Sequence, residues 1–156
     1  MKNNHQNSGS YKKFGLMLAT SFVVMYAVMF LNADLFDHIY LSHTRTYMTL
    51  LMIAPMALLK LLFMSSMYKN KKLNAIIATS AIVVFVGVFA MLRNQTFIKD
   101  VQYMKAMIPH HSSAIMVSQS ATFEDPEVKK LAEDIIEAQK KEIAQMKAMI
   151  ERLENK

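Results

Sequence analysis

Met107-Ile-Pro-His-His111 is the one stretch of this chain in which adjacent histidines stand among sulfur side chains, with Met104 just before it and Met116 beyond. Thioether sulfur and imidazole nitrogen are the donors that Cu(I) and Ag(I), both soft ions, favour at low coordination number. On a helix, spacings of three and four residues put Met104, Met107 and His111 on neighbouring turns of one face. Pro109 removes a backbone hydrogen bond and bends a helix at this point, so the facing of His110 stays open. Further along, Gln139 and Glu142 are polar residues in an otherwise apolar seam, and Met146 and Met149 add sulfur. Glu142 is placed either to orient an imidazole from outside the metal's own ligands or to bind a harder ion. The candidate metal residues are therefore Met104, Met107, His110, His111, Met116, Glu142 and Met146. The plainer alternative is a packed hairpin in which His111 bonds Glu142 or Gln139 and His110 is exposed.

These residues need two helices to carry them. At about 100° per residue, Phe97, Val101, Met104, Ile108, His111 and Ile115 form one stripe. Asp125-Pro126 supplies an N-cap followed by proline at the first helical position. Beyond it, Val128, Leu131, Ala132, Ile135, Gln139, Glu142, Met146, Met149 and Leu153 form the inner stripe, widened by Ile136, Ile143 and Ile150. The expected helices cover about 96–120 and 126–154 within an outer domain of residues 93–156. Folded antiparallel about residue 123, they set Met104 opposite Glu142, Met107 opposite Gln139, and His111 near Ile135. Two helices cannot bury such wide apolar faces alone, so a homodimer completing a four-helix bundle is expected.

Ahead of the hairpin the chain reads as membrane-spanning. Apolar runs at about 14–31, 47–67 and 73–92 are each near one bilayer thickness. Residues 1–13 read as a disordered cytoplasmic tail in which His5 is a lone histidine. Basic residues crowd the tail and the 68–72 loop, whereas the polar 32–46 loop has only Arg45. The positive-inside rule then sets the N-terminus in the cytoplasm. Three spans leave the hairpin on the outer side of a cell (inner) membrane, as a periplasmic or extracellular domain. Lys60, inside the second span, is read as snorkelling. Met48, Met52 and Met56 form a sulfur stripe suited to helix or lipid packing, with an ion path as the alternative.

The totals agree with that organisation. Apolar residues make up 53% of 156 residues and only three glycines and three prolines occur, which speaks for helices rather than a β-rich or disordered chain. The net charge of +6 comes from the first 93 residues, where nine Lys and Arg meet only Asp34 and Asp37. Placed beside apolar segments, this excess reads as membrane topology, and no nucleic-acid partner is expected. Without cysteine, neither disulfides nor thiolate metal sites are available.

The stretches Tyr103-Met-Lys-Ala-Met-Ile-Pro-His-His-Ser-Ser-Ala-Ile-Met116, Asp125-Pro-Glu-Val-Lys-Lys-Leu-Ala-Glu-Asp-Ile-Ile136 and Ala138-Gln-Lys-Lys-Glu-Ile-Ala-Gln-Met146 resemble the domain of unknown function 305 family. The resemblance implies a ferritin-like helical bundle, and several members are periplasmic proteins tied to copper or silver tolerance through Met and His ligands. A subset also resembles this chain in three preceding spans carrying His-Thr-Arg-Thr-Tyr-Met and Met-Tyr-Lys-Asn. The expected architecture is all-α: three transmembrane helices, then an antiparallel hairpin forming a ferritin-like half-bundle. The expected function is binding of Cu(I), with Ag(I) as a second cargo, without catalysis. Two other readings stand beside it. A ferritin-like di-metal enzyme needs Glu-x-x-His pairs, which this chain lacks, and a metal-free oligomerisation module needs only the apolar faces. Copper importers of the three-span type use a Gly-x-x-x-Gly contact in the third span, where this chain has Gly87 alone.

Overall fold

The computed structural model describes residues 2–155, with side chains from Gly9 onward, so His5 lies outside the described side chains. Every regular element among them is helical. The α-helices are α1 (Lys2–Val28), α2 (His43–Phe63), α3 (Lys71–Arg93), α4 (Asp100–Ser120) and α5 (Pro126–Glu154), with a short 3-10 turn at Phe36–His38. The chain divides into two compact units.

The first unit takes in residues 1–28 and 46–96. Its core joins Phe14 of α1, Ala54 and Ala57 of α2, Tyr68, and Ala81 of α3. Small residues at such contacts let helices approach closely. Phe14 meets the Tyr68 ring edge-on with centroids 5.4 Å apart. Helices α2 and α3 are long and apolar enough to cross a membrane. The expected first span differs: α1 begins at Lys2, inside the segment expected to be a disordered tail, and ends at Val28, so residues 29–31 of the apolar run turn away from it. The helix of the expected second span also shifts, to His43–Phe63. Its start is set by Ser42, whose hydroxyl accepts from the Arg45 amide at 3.4 Å as an N-cap would. Helix α3 covers the apolar run expected as the third span, and starts where Asn70 caps it by accepting from the Leu73 amide.

The second unit takes in residues 29–45 and 97–156. Its core is an α4–α5 hairpin in which Met104, Ile108, Ile115, Ile143 and Ile150 are buried together. Helix α5 starts where expected: the Asp125 carboxylate accepts from the Glu127 and Val128 amides at 2.7 and 3.1 Å. Helix α4 starts four residues late, at Asp100. Gln95 and Phe97 both have positive φ in the turn after α3, so Phe97 leaves the expected stripe and lies 73% exposed.

The hairpin register also differs from a symmetric fold. Glu142 stands level with His111, not with Met104, and Glu154 pairs with Lys105. The displacement from Met104 to His111 is about two helical turns. Ala121 at the end of α4 and Asp125 before α5 are both extended, so the link runs on past α4 before α5 turns back. The first turns of α5 consequently have no α4 residue beside them. Val128 and Leu131, expected inside, are 48% and 58% exposed, and Ala132 is the first buried residue of α5. Facing α4 are Ile143 and Ile150, expected only at the margin, with Ile136, Met146 and Leu153 packed on them.

Residues 29–45, expected as a plain polar loop, form a strap over this hairpin. Tyr40 packs against its core. The Asn32 amide donates to Ser113 Oγ at 2.8 Å, the Asp34 N–H donates to Ser112 Oγ at 2.7 Å, and the His43 N–H donates to Gln102 Oε1 at 3.1 Å. Lys147 of α5 pairs with Asp37, and Arg45 sits 4.1 Å over the Phe30 ring, a cation–π contact.

Candidate metal centre

Helix α4 runs unbroken through Pro109 and turns its two histidines differently. His110 is exposed, while His111 is half-buried beside α5. Their rings lie edge to face with centroids 6.0 Å apart. The Glu142 carboxylate is 3.0 Å from His111 Nδ1. No hydrogen bond is formed across this contact, however, and among the described residues Nδ1 is the one buried side-chain polar atom without a hydrogen-bond partner. The contact with Glu142 is therefore electrostatic. Burial pushes the His111 imidazole below its usual range, Glu142 partly opposes this, and His110 reinforces it. A neutral imidazole keeps a lone pair available to a cation.

The same register sorts the methionines. Four residues before His111 is Met107, and four residues beyond Glu142 is Met146. In antiparallel helices these two stand level, both half-buried. His111, Glu142, Met107 and Met146 thus occupy two successive turns on each helix. Met104 lies one turn deeper, buried in the same cluster that Met146 packs against. Met116 falls on the far side of His111, where its sulfur is 3.9 Å from the Ser120 hydroxyl. Gln139 is half-buried but not opposite Met107, and Met149 is largely exposed.

Among the described residues, no three His, Asp or Glu side chains gather as a metal-holding group. The pair that does meet is one imidazole and one carboxylate, and the thioethers of Met107 and Met146 stand one turn along on the same faces, a set that suits a soft monovalent ion better than a hard divalent one. An unpartnered buried nitrogen amid this set fits such an ion.

Two residues beside the candidate donors were not legible as part of the site. Ser112, the neighbour of His111, is fully buried, and His38 of the strap places Nδ1 2.9 Å from its hydroxyl. Ser112 stands between His111 and Ser113 and His38 between Asp37 and Ile39, neighbours that do not distinguish them from surface residues.

A family model described as "Domain of unknown function (DUF305)" matches residues 63–156, which hold α3 and the whole hairpin. The chain belongs to the DUF305 family. This DUF305 protein is also 38% identical over 146 residues to "Uncharacterized protein L153" of Acanthamoeba polyphaga mimivirus, covering 90% of this chain and 94% of the viral one. That similarity extends ahead of the DUF305 match, through most of the first unit and the strap. No solved structure matches.

Proposed function

We propose that this chain is a membrane-anchored, extracytoplasmic binder of Cu(I), and of Ag(I) through the same donors, serving metal tolerance or homeostasis. The observation that carries the reading is His111 Nδ1, buried without a hydrogen bond beside Glu142, with Met107 and Met146 level one turn away. His111, Met107 and Met146 would hold the ion, with Met104 behind them, and Glu142 would balance its charge. His110 is the exposed histidine through which an ion could be handed on. Membership of the family, whose resemblance implies a ferritin-like bundle with Met and His ligands, supports the same reading.

The outer location rests on three spans. Helices α2 and α3 have the length and composition for two. The apolar part of α1, from Phe14 to Val28, is about 22 Å long at ~1.5 Å per residue. It is short for a span, and α1 crosses in this reading with Lys12 and Lys13 snorkelling. The lysines of residues 2–13 and 69–72 then share the cytoplasmic face.

The test is titration of the full-length chain in detergent with Cu(I), Ag(I), Zn(II) and Fe(II), with X-ray absorption on the loaded protein. Sulfur and nitrogen scattering around Cu(I) or Ag(I) is expected. Undiminished affinity after Met107, His110 and His111 are all replaced by Ala would overturn the site. A second reading, a metal-free association module, is favoured by the exposed Val128, Leu131 and Met149 of α5. It predicts self-association with no metal uptake.

A further inference from the structure

Between α1, α2 and α3 of the first unit lies a groove of about 450 Å³, within the range of ligand pockets, roughly 300–1,000 Å³. Phe14, Leu18, Ile53 and Ile77 are typical of its walls, and only Tyr11 and Ser80 bring polar atoms to it. Gly15, on its lining, is exposed, and a Cβ added there would meet no atom within 4 Å.

One end of the groove is built differently. Tyr11 donates its hydroxyl proton to Asn74 Oδ1 at 2.7 Å and accepts from the Asn70 N–H at 3.2 Å. Next to these residues in the chain stand Lys12, Lys13, Lys69, Lys71 and Lys72, all exposed. The first unit, residues 1–28 and 46–96, contains no Asp or Glu at all. Five exposed lysines that adjoin in the chain the residues at this end of the groove, with no acid in the unit to balance them, complement a ligand with an anionic head and a hydrocarbon tail.

We propose that this groove binds an anionic phospholipid, with an acyl chain between the three helices and the phosphate at the lysine cluster. Basic sites between membrane helices recognise such headgroups by charge, and the groove supplies the apolar contact that a free phosphate lacks. The proposal goes beyond metal binding and rests only on that part of the reading that sets α1 to α3 in a bilayer.

The experiment is native mass spectrometry of the full-length chain in mild detergent with phosphatidylglycerol or phosphatidylcholine of matched acyl chains. Phosphatidylglycerol is expected to be retained on the order of tenfold better, since each lysine near an anionic surface contributes a factor of about five. The variant Lys69→Gln/Lys71→Gln/Lys72→Gln should bring the two lipids close to parity. Gly15→Leu, at a lining position where an added Cβ meets no atom within 4 Å, should lower uptake of both. Equal uptake by the unaltered chain, undiminished selectivity in the lysine variant, or competition by glycerol phosphate as strong as by the lipid would each overturn the proposal. Release of the chain from membranes by an alkaline wash would instead overturn the membrane reading, which separates the two failures.

Discussion

His38 Nδ1 lies 2.9 Å from Ser112 Oγ, joining the strap to the residue directly after His111. The same oxygen accepts the Asp34 N–H, so a neutral His38 protonated on Nε2 completes the set by accepting the serine proton. Its Nε2 then faces Asp37 Oδ1 at 3.6 Å. Removing the hydroxyl strands both partners at a fully buried position. Ser112→Ala should therefore cost about 1–3 kcal/mol, read as a lowered thermal midpoint of the full-length chain. A change within the scatter of surface substitutions would deny the strap its anchor.

The strap should loosen in acid. Burial pushes His38 below its usual range and Lys147 adds to this, while Asp37 and Asp34 oppose it. Burial likewise lowers His111. For either group the folded chain holds fewer protons than the unfolded one between the lowered value and about 6.5. Their contribution is thus complete above about pH 6.5 and is lost as the pH falls through the lowered values. Asp37, held below its ordinary value chiefly by its hydrogen bond from Lys147, loses its contribution at lower pH still. The protection of residues 29–45 against amide exchange, corrected for the intrinsic slowing in acid, should fall between pH 7 and 5, and His38→Gln should flatten that fall.

The two histidines should separate in metal affinity. His111→Ala is expected to weaken Cu(I) binding tenfold or more, a loss of at least about 1.4 kcal/mol, with His110→Ala close to the unaltered chain. Glu142→Gln, which keeps the shape and removes the charge, should cost about 10–100-fold, as groups that support metal ligands do. Competition titrations against a Cu(I) chelator measure all three. Equal losses at His110 and His111 would show that burial does not decide between them.

The apolar strip of α5 left open by α4 predicts association. Val128, Leu131 and Met149 are the exposed large apolar residues of α5, placed as positions of a second helix contact are. Val128→Glu and Leu131→Glu alter exposed positions and should change folding by no more than about 0.5 kcal/mol. They should nevertheless shift the detergent-solubilised chain from dimer to monomer in sedimentation. An unaltered chain that is monomeric at high concentration would contradict the dimer.

Local rules were legible where one residue decides the structure. Asp125-Pro126 set the start of α5 and His111 lies on the stripe that its spacing predicts, whereas the facing of His110, open in the sequence, is fixed by α4 running unbroken through Pro109. What could not be read depended on distance. The register of α4 against α5 is set by an extended link whose direction no periodicity encodes, so Met104 and Glu142 were matched two turns apart from where they stand. Nothing in the polar run from Asn32 to Thr46 marks it as cover for Ser112, because that role exists only once residues far along the chain have folded.

That distance also sets an order of events. His38 and Ser112 are separated by 74 positions, and Asp37 and Lys147 by 110. As the chain is synthesised, the strap emerges long before either helix it covers: Ser112 and Ser113 arrive with α4, and Lys147 only when α5 is nearly complete. Long-range contacts of this kind form late because their loop entropy must be met before they stabilise anything. Closure of the strap is accordingly a final step in folding, during which Tyr40 and His38 wait in solvent for the helices that will bury them.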